Sequence, residues 1–192
     1  MFMRVTQGVS REQEYTADRF AATIAGREPV ASSLKRLAGY TPGVMTYWDR
    51  LLLPALSGGF RPPITAGMAQ MVASEWITKA AEIYTEAVIK EGKEDPFDTH
   101  PCLRDRVAAL DGLPAGEPED TTPAVSLLDD IRGVEDKILT MYMPGKQIEK
   151  LEAIEWNDVA ERVFLDRWTR LREYNRASLS SWTVEEIPAM IE

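Results

Sequence analysis

The sequence predicts a mainly α-helical protein, and three observations support this prediction. Apolar side chains recur every three or four residues over most of the 192-residue chain, which is the period of an α-helix. Glycines and prolines separate these stretches, as they do at helix ends. No alternation of apolar and polar residues is long enough to predict a strand. We therefore expect a multi-helix core over residues 10–111, followed by a helical C-terminal extension.

The first helices are predicted from residues that begin or end helices. Ser10 is a good N-cap, and Gln13 three positions later completes a capping-box pattern. Gly26 is suited to end this helix, because glycine readily adopts the left-handed conformation found there. A short second helix is expected to stop at Gly39, and a third segment, rich in large side chains, covers residues 42–56.

The rest of the core contains a long helix and a short one. Arg61-Pro62-Pro63 predicts an extended connection, since consecutive prolines exclude a helix. The longest helix is expected over residues 65–91. His100 is then the predicted N-cap of a helix with Pro101 at its first position, and Gly112 closes that helix.

An acidic segment rich in glycine and proline, residues 112–123, is predicted to be an exposed linker. It divides the chain into a domain over residues 1–111 and a helical extension over residues 124–192. Within the extension, residues 147–156 fit a helix or a strand equally well. A capping-box pattern at Thr183 and Glu186 predicts a short last helix.

The amino-acid composition excludes some classes of binding partner. The formal net charge is −9, which argues against nucleic acid and against docking on anionic lipid through a basic patch. Cys102 is the single cysteine, so an intramolecular disulfide is excluded. We expect it to be a buried or half-buried small side chain and not a nucleophile, because no second histidine can activate it. The sequence shows no signal peptide or membrane-spanning run, so we expect this segment to be soluble.

Two carboxylates are the main candidates for chemistry. Glu14 and Asp18 are four residues apart, so they lie on one stripe of the first helix, together with small apolar residues: Ala17, Ala21, Ala22 and Ala25. A carboxylate on such a face needs a partner or a metal if it is buried. The alternative is a solvated surface pair with Arg11 and Arg19 as partners.

Two short motifs extend this observation into a resemblance. Ser10-Arg11-x-x-Glu14-x-x-Ala17-Asp18 resembles the second metal motif of the HtpX and CAAX-prenyl-endopeptidase zinc metallopeptidases, peptidase family M-forty-eight. Thr99-His100-Pro101-x-Leu103-x-x-Arg106-Val107 resembles the H-P-x-x-x-x-R element of the same family. The resemblance covers residues 4 to about 170 and implies the second half of a zincin-type catalytic domain.

The resemblance implies an activity and a set of roles. The activity is zinc-dependent endopeptidase hydrolysis of a peptide or protein substrate. Glu14 would be a zinc ligand, and Asp18 would orient a ligating histidine from the second shell. His100 and Arg106 would contact the substrate or the developing oxyanion.

The sequence departs from the family in one respect. His100 is its single histidine, so it contains no H-E-x-x-H motif. Zinc catalysis needs about three protein ligands, and Glu14 alone does not supply them. We therefore expect a C-terminal portion of a bacterial peptidase, inactive and without zinc by itself, which needs the missing segment in cis or in trans. Membrane association of the intact protein would come only through that absent part.

Two other interpretations stay open at this point. In the first, the chain is a non-catalytic helical interaction or regulatory module that keeps the peptidase scaffold. In the second, it is one half of a split enzyme. A separate alternative for His100 is that it only caps a helix. The tryptophans are expected to be mostly packing anchors.

Overall fold

The computed structural model describes residues 2–93, 98–116, 122–145 and 148–179. They are mainly helical, as predicted. In chain order the elements are α1 (Phe2–Ala25), α2 (Arg27–Tyr47), a π-helix (Trp48–Leu52), α3 (Leu53–Ser57), β1 (Phe60–Arg61), α4 (Ile64–Val72), α5 (Glu75–Glu91), α6 (Leu103–Ala108), a 3₁₀ turn (Ala124–Leu127), α7 (Ile131–Tyr142), a 3₁₀ turn (Ile148–Lys150), β2 (Glu152–Ala153), α8 (Trp156–Val159), a second π-helix (Ala160–Leu165), α9 (Asp166–Tyr174) and α10 (Arg176–Leu179).

The described residues form two compact units, and neither is continuous in sequence. The first unit is drawn from Met1–Tyr47 and Met68–Ile131, and the second from Trp48–Gly67 and Arg132–Glu192. The linear division into residues 1–111 and 124–192 stays a prediction. None of the helices in the described part of the chain is both long and apolar enough to cross a membrane.

In the first unit, a positive-φ glycine joins α1 to α2. Gly26 has φ +92° and ends α1, as predicted. Its Cα lies so close to the backbone of Gly116 that a Cβ would be 2.2 Å from the Gly116 Cα. The backbone N–H of Arg27 donates to the carbonyl of Pro114 at 2.9 Å, which ties the segment after α6 to the start of α2.

Helix α2 runs through Gly39, so the predicted end at this residue is wrong. Gly39 is buried against α5, where a Cβ would lie 2.8 Å from the carbonyl oxygen of Ala81. The missing side chain therefore serves helix packing and does not end the helix.

Three other predicted boundaries need correction. Helix α1 already includes Ser10, so this residue is not an N-cap. The long helix over 65–91 is two helices, because Ser74 caps α5 by accepting from the Ile77 N–H at 3.3 Å. Cys102, and not His100, is the N-cap of α6, and its carbonyl accepts from Asp105 and Arg106 at 3.1 Å each.

The second unit contains a short parallel pair of strands. β2 lies within residues 147–156, which the sequence left open between helix and strand, whereas β1 and the pairing were not predicted. Phe60 pairs with Glu152 and Arg61 with Ala153. A small apolar core lies beside it, made of Ala55, Ile154, Val159 and Val163, with Phe60, Trp156 and Phe164 packed against it.

Hydrogen bonds and a salt bridge also connect the two stretches of chain that form this unit. Glu135 is buried and accepts from the Thr65 N–H at 2.7 Å, while the Trp156 indole donates to the Pro63 carbonyl at 2.8 Å. Arg61 forms a salt bridge with Asp136.

Two tryptophans are exceptions to the expectation that these residues are mostly packing anchors. Trp76 and Trp168 are 75% and 64% exposed. Trp48 is half-buried, and its ring centroid lies 4.8 Å from that of Tyr142. Trp182 and the predicted helix at Thr183–Glu186 lie outside the described residues.

Candidate functional site

The four site residues predicted from the sequence lie together in the first unit. Glu14 and Asp18 are one turn apart on α1, Arg106 is on α6, and His100 is in the segment that precedes α6. A hydrogen bond from a side chain also joins this segment to α1, since Nη1 of Arg11 donates to the backbone carbonyl oxygen of Asp98 at 2.9 Å.

Arg106 is the centre of the cluster. Its Nε and Nη2 donate to the two carboxylate oxygens of Asp18 at 2.8 and 2.7 Å, a bidentate pair. Its Nη1 lies 3.0 Å from Oε2 of Glu14. All three guanidinium nitrogens therefore contact a carboxylate. The hydrogen bond to Asp18, together with the charges of Asp18 and Glu14, raises the pKa of Arg106 despite its partial burial.

Asp18 is the buried member of the cluster. Only 6% of this residue is exposed, so its carboxylate depends on Arg106 for compensation. Arg19 is not its partner, because the Arg19 guanidinium pairs with Glu12 at 2.9 Å. The interpretation of Asp18 as a solvated surface charge is therefore wrong. Sequence reasoning missed the Asp18–Arg106 pair, because these residues are 88 positions apart and no local pattern links them.

His100 lies at the exposed side of the cluster. Its Nδ1 is 3.2 Å from Oε1 of Glu14, and its side chain is 65% exposed. The backbone N–H of His100 donates to the Asp98 carboxylate at 2.9 Å. His100 lies two residues before the α6 N-cap, so its predicted position in the helix cap is wrong and its conformation is set by Asp98 and Glu14.

Cys102 belongs to the same segment but has no catalytic environment. It is half-buried, as predicted. Burial, and then a hydrogen bond to Asp105, raise the pKa of its thiol. A reactive cysteine needs the opposite shift, toward the thiolate.

The donor set only partly fits a zinc ion. Zinc sites in enzymes use about three protein ligands. Glu14 and His100 are the two ligand-type side chains that face each other here, and Glu14 also contacts Arg106. Within residues 2–93, 98–116, 122–145 and 148–179, no group of three or more such side chains is positioned to hold a metal. These residues therefore do not make a complete zinc site.

Comparisons with known proteins identify one family. Nothing matches among curated proteins or among solved structures. The model of peptidase family M48 matches residues 1–113, a stretch that contains all four residues of the cluster. Since the match covers more than half of the sequence, the chain belongs to peptidase family M48, a family of metallopeptidases.

Proposed function

We propose that this chain supplies part of the active site of a zinc-dependent metalloendopeptidase. The observation that carries the proposal is the meeting of Glu14, Asp18, His100 and Arg106 in one cluster inside the region matched by the family. In the complete site, zinc would supply an activated water for attack on the peptide carbonyl.

Each residue of the cluster has a proposed role that rests on the family motif and can be compared with its contacts. Glu14 is the metal ligand that the motif implies, and its half-buried carboxylate faces His100. Arg106 is a positioning residue, since its guanidinium is engaged by Asp18 and Glu14 and fixes both carboxylates. Its contact with substrate, and the contact of Asp18 with a ligating histidine, stay predictions. His100, whose imidazole is exposed, donates a hydrogen bond to the substrate carbonyl or oxyanion.

The chain alone is proposed to be inactive. Glu14 alone provides fewer ligands than zinc catalysis uses, and the sequence contains no H-E-x-x-H. The missing ligands would come from a segment with that motif, in cis or in trans. The substrate is then a peptide or protein.

Zinc affinity tests this proposal. We would measure it by competition with a chromophoric chelator, for the chain alone and for the chain mixed with a helical segment that carries H-E-x-x-H. Zinc binding should appear only in the mixture. Glu14→Gln should weaken it at least 10-fold, because the variant lacks a charged ligand.

A matched control and two contradicting outcomes complete the test. Glu12→Gln removes an exposed carboxylate from the same helix and should leave zinc affinity unchanged. Equal affinity for the Glu14→Gln and Glu12→Gln mixtures would contradict the role of Glu14. Chelator-sensitive peptide cleavage by the pure chain would contradict its inactivity.

The second candidate is a non-catalytic helical module, and one observation favours it. Arg106 forms ion pairs with both Asp18 and Glu14, so the cluster is also consistent with a purely structural ion-pair network. If this candidate is correct, no mixture binds zinc, and substitution of Arg106 changes only the stability of the fold.

A further inference from the structure

A cavity of about 730 Å³ lies in the second unit. Its lining includes none of the four residues Glu14, Asp18, His100 and Arg106, which together are called the M48 cluster. One wall comes from the first π-helix, α3 and β1, and the other from the second π-helix and α9. Its volume is in the range of small-molecule sites. Both π-helices contribute to its lining, and this rare form of helix occurs frequently at functional sites.

The cavity has an apolar side. Leu53, Pro54, Phe60 and Val163 line it. Val163 belongs to the buried core of this unit and Phe60 packs against that core, so these two side chains are held in place. An apolar group of a ligand would therefore meet a preformed surface.

Three arginines give the cavity a cationic side. Val163, Asp166, Arg167 and Arg170 follow the i, i+3, i+4, i+7 spacing that places side chains on one helix face. Arg162 adds a third guanidinium, which lies 4.5 Å from the centroid of the Phe60 ring.

Carboxylates compensate these arginines unequally. Arg162 pairs with Glu152 at 2.8 Å, and Arg170 pairs with Asp166. Arg167 forms no ion pair with any residue in the described part of the chain. The lining includes Asp49 and Asp166, and Glu152 adds a third carboxylate through its pair with Arg162, so the charges around the cavity balance. The candidate anion site therefore rests on Arg167, with Arg170 beside it, and not on an excess of positive charge.

We propose that this cavity binds an amphiphilic anion, with a phosphate or carboxylate head group on Arg167 and Arg170 and an apolar chain along Leu53, Pro54 and Phe60. Guanidinium groups present paired donors that match both kinds of head group. The apolar wall distinguishes such a ligand from a free inorganic anion, which would use the arginines alone.

Calorimetric titration of the full chain tests the ligand chemistry. Octyl phosphate and octanoate, below their micellar concentrations, are compared with inorganic phosphate and with octyltrimethylammonium. We expect at least one of the two amphiphilic anions to bind more than 10-fold tighter than inorganic phosphate, and the cationic amphiphile not to bind. Equal affinity for inorganic phosphate and both amphiphilic anions, or binding of the cation, would overturn the proposal. So would the absence of binding by both amphiphilic anions.

Substitutions test the location of the site. Arg167→Gln and Arg170→Gln should each weaken binding about 10-fold or more, as loss of a charge-assisted hydrogen bond does. Arg172→Gln is the matched control, since Arg172 is on the same helix but pairs with Glu173 and does not line the cavity. Circular dichroism shows whether each variant is folded. An equal loss of affinity in Arg172→Gln, or no loss in either cavity variant, would place the ligand elsewhere. Neither result bears on zinc binding by the M48 cluster.

Discussion

At the residue scale, the stability of the site depends on the pair between Asp18 and Arg106. Asp18 is buried, and an uncompensated buried carboxylate is much more costly than an exposed one. Both of its oxygens accept from Arg106, so a single side chain compensates it. Arg106 thus links α6 to α1 and also contacts Glu14, the residue that faces His100.

Replacing Arg106 therefore tests this dependence. Arg106→Gln should lower the free energy of unfolding by about 3 kcal/mol, because Asp18 then stays buried without its partner. Arg106→Lys should lower the free energy of unfolding by a smaller amount, because lysine keeps the positive charge. Some loss is still expected, since lysine cannot form the bidentate contact. Chemical denaturation of the three proteins measures both effects.

Arg104→Gln is the control for this experiment. Arg104 is two residues away and pairs with its neighbour Asp105 at the surface. Its substitution should leave the denaturation midpoint close to that of the unmodified chain. A similar loss of unfolding free energy in Arg104→Gln and Arg106→Gln would show that the destabilisation does not come from breaking the Asp18–Arg106 pair.

The thiol of Cys102 gives a pH-dependent prediction. Burial, and then its hydrogen bond to Asp105, raise the pKa of Cys102, so less thiolate is present at a given pH. Alkylation by iodoacetamide should reach its half-maximal rate at higher pH in the folded chain than in denaturant. Because the folded pKa is the raised one, the thiol favours folding below its unfolded pKa, and this contribution disappears as the pH rises through the folded value.

A charge substitution separates this effect from simple blocking of access. Asp105→Asn should shift the alkylation profile of Cys102 back toward lower pH, because it removes the negative charge that the thiol contacts. Asp111→Asn, at an exposed position after the end of α6, should leave the profile unchanged. Identical profiles for both variants would mean that burial alone controls reactivity. The chain has a single cysteine, so the labelled site is unambiguous.

At the element scale, the sequence predicted helices well where their ends are set locally. Gly26 ends α1 because it has φ +92°, a conformation that glycine adopts without strain. Gly39 carries the same local signal but lies inside α2, since the reason for glycine there is contact with α5. His100 and Pro101 match a cap pattern, yet α6 begins later, at Leu103. Local patterns do not distinguish these cases, because the deciding contacts are distant in sequence.

Two glycine substitutions, one in α2 and one in α1, are expected to change stability in opposite directions, and together they test this explanation of Gly39. Gly39→Ala should destabilise the chain by about 1–3 kcal/mol, because the new Cβ would meet the carbonyl oxygen of Ala81 at 2.8 Å. Gly8→Ala, inside α1 with nothing within 4 Å of the added Cβ, should stabilise it by about 0.5–1 kcal/mol. Thermal unfolding measures both. Stabilisation by Gly39→Ala would contradict the packing explanation.

At the scale of the whole molecule, the sequence singled out residues that the structure brings together, but it did not predict how they pair. Short motifs identified Glu14, Asp18, His100 and Arg106, and these residues do meet. Their pairing was not predicted, because it depends on where α6 lies once it has packed on α2 and α5. The second unit shows the same limit. Its strands are two residues long, too short for any periodicity, and they form only when residues 60–61 meet residues 152–153.

The second unit is built from two stretches of the chain, and a cut between these stretches tests whether they hold together. In the experiment, residues 117–121 are replaced by a protease recognition site, and the folded chain is treated with that protease. The two fragments should elute together on size exclusion, because the small core joins Ala55 of one fragment to Ile154, Val159 and Val163 of the other. The β1–β2 pair also spans the cut. Ile154→Asp is the control that should separate the fragments, since it places a charge in that core. Separate elution of the fragments without this substitution would support instead a linear division into residues 1–111 and 124–192.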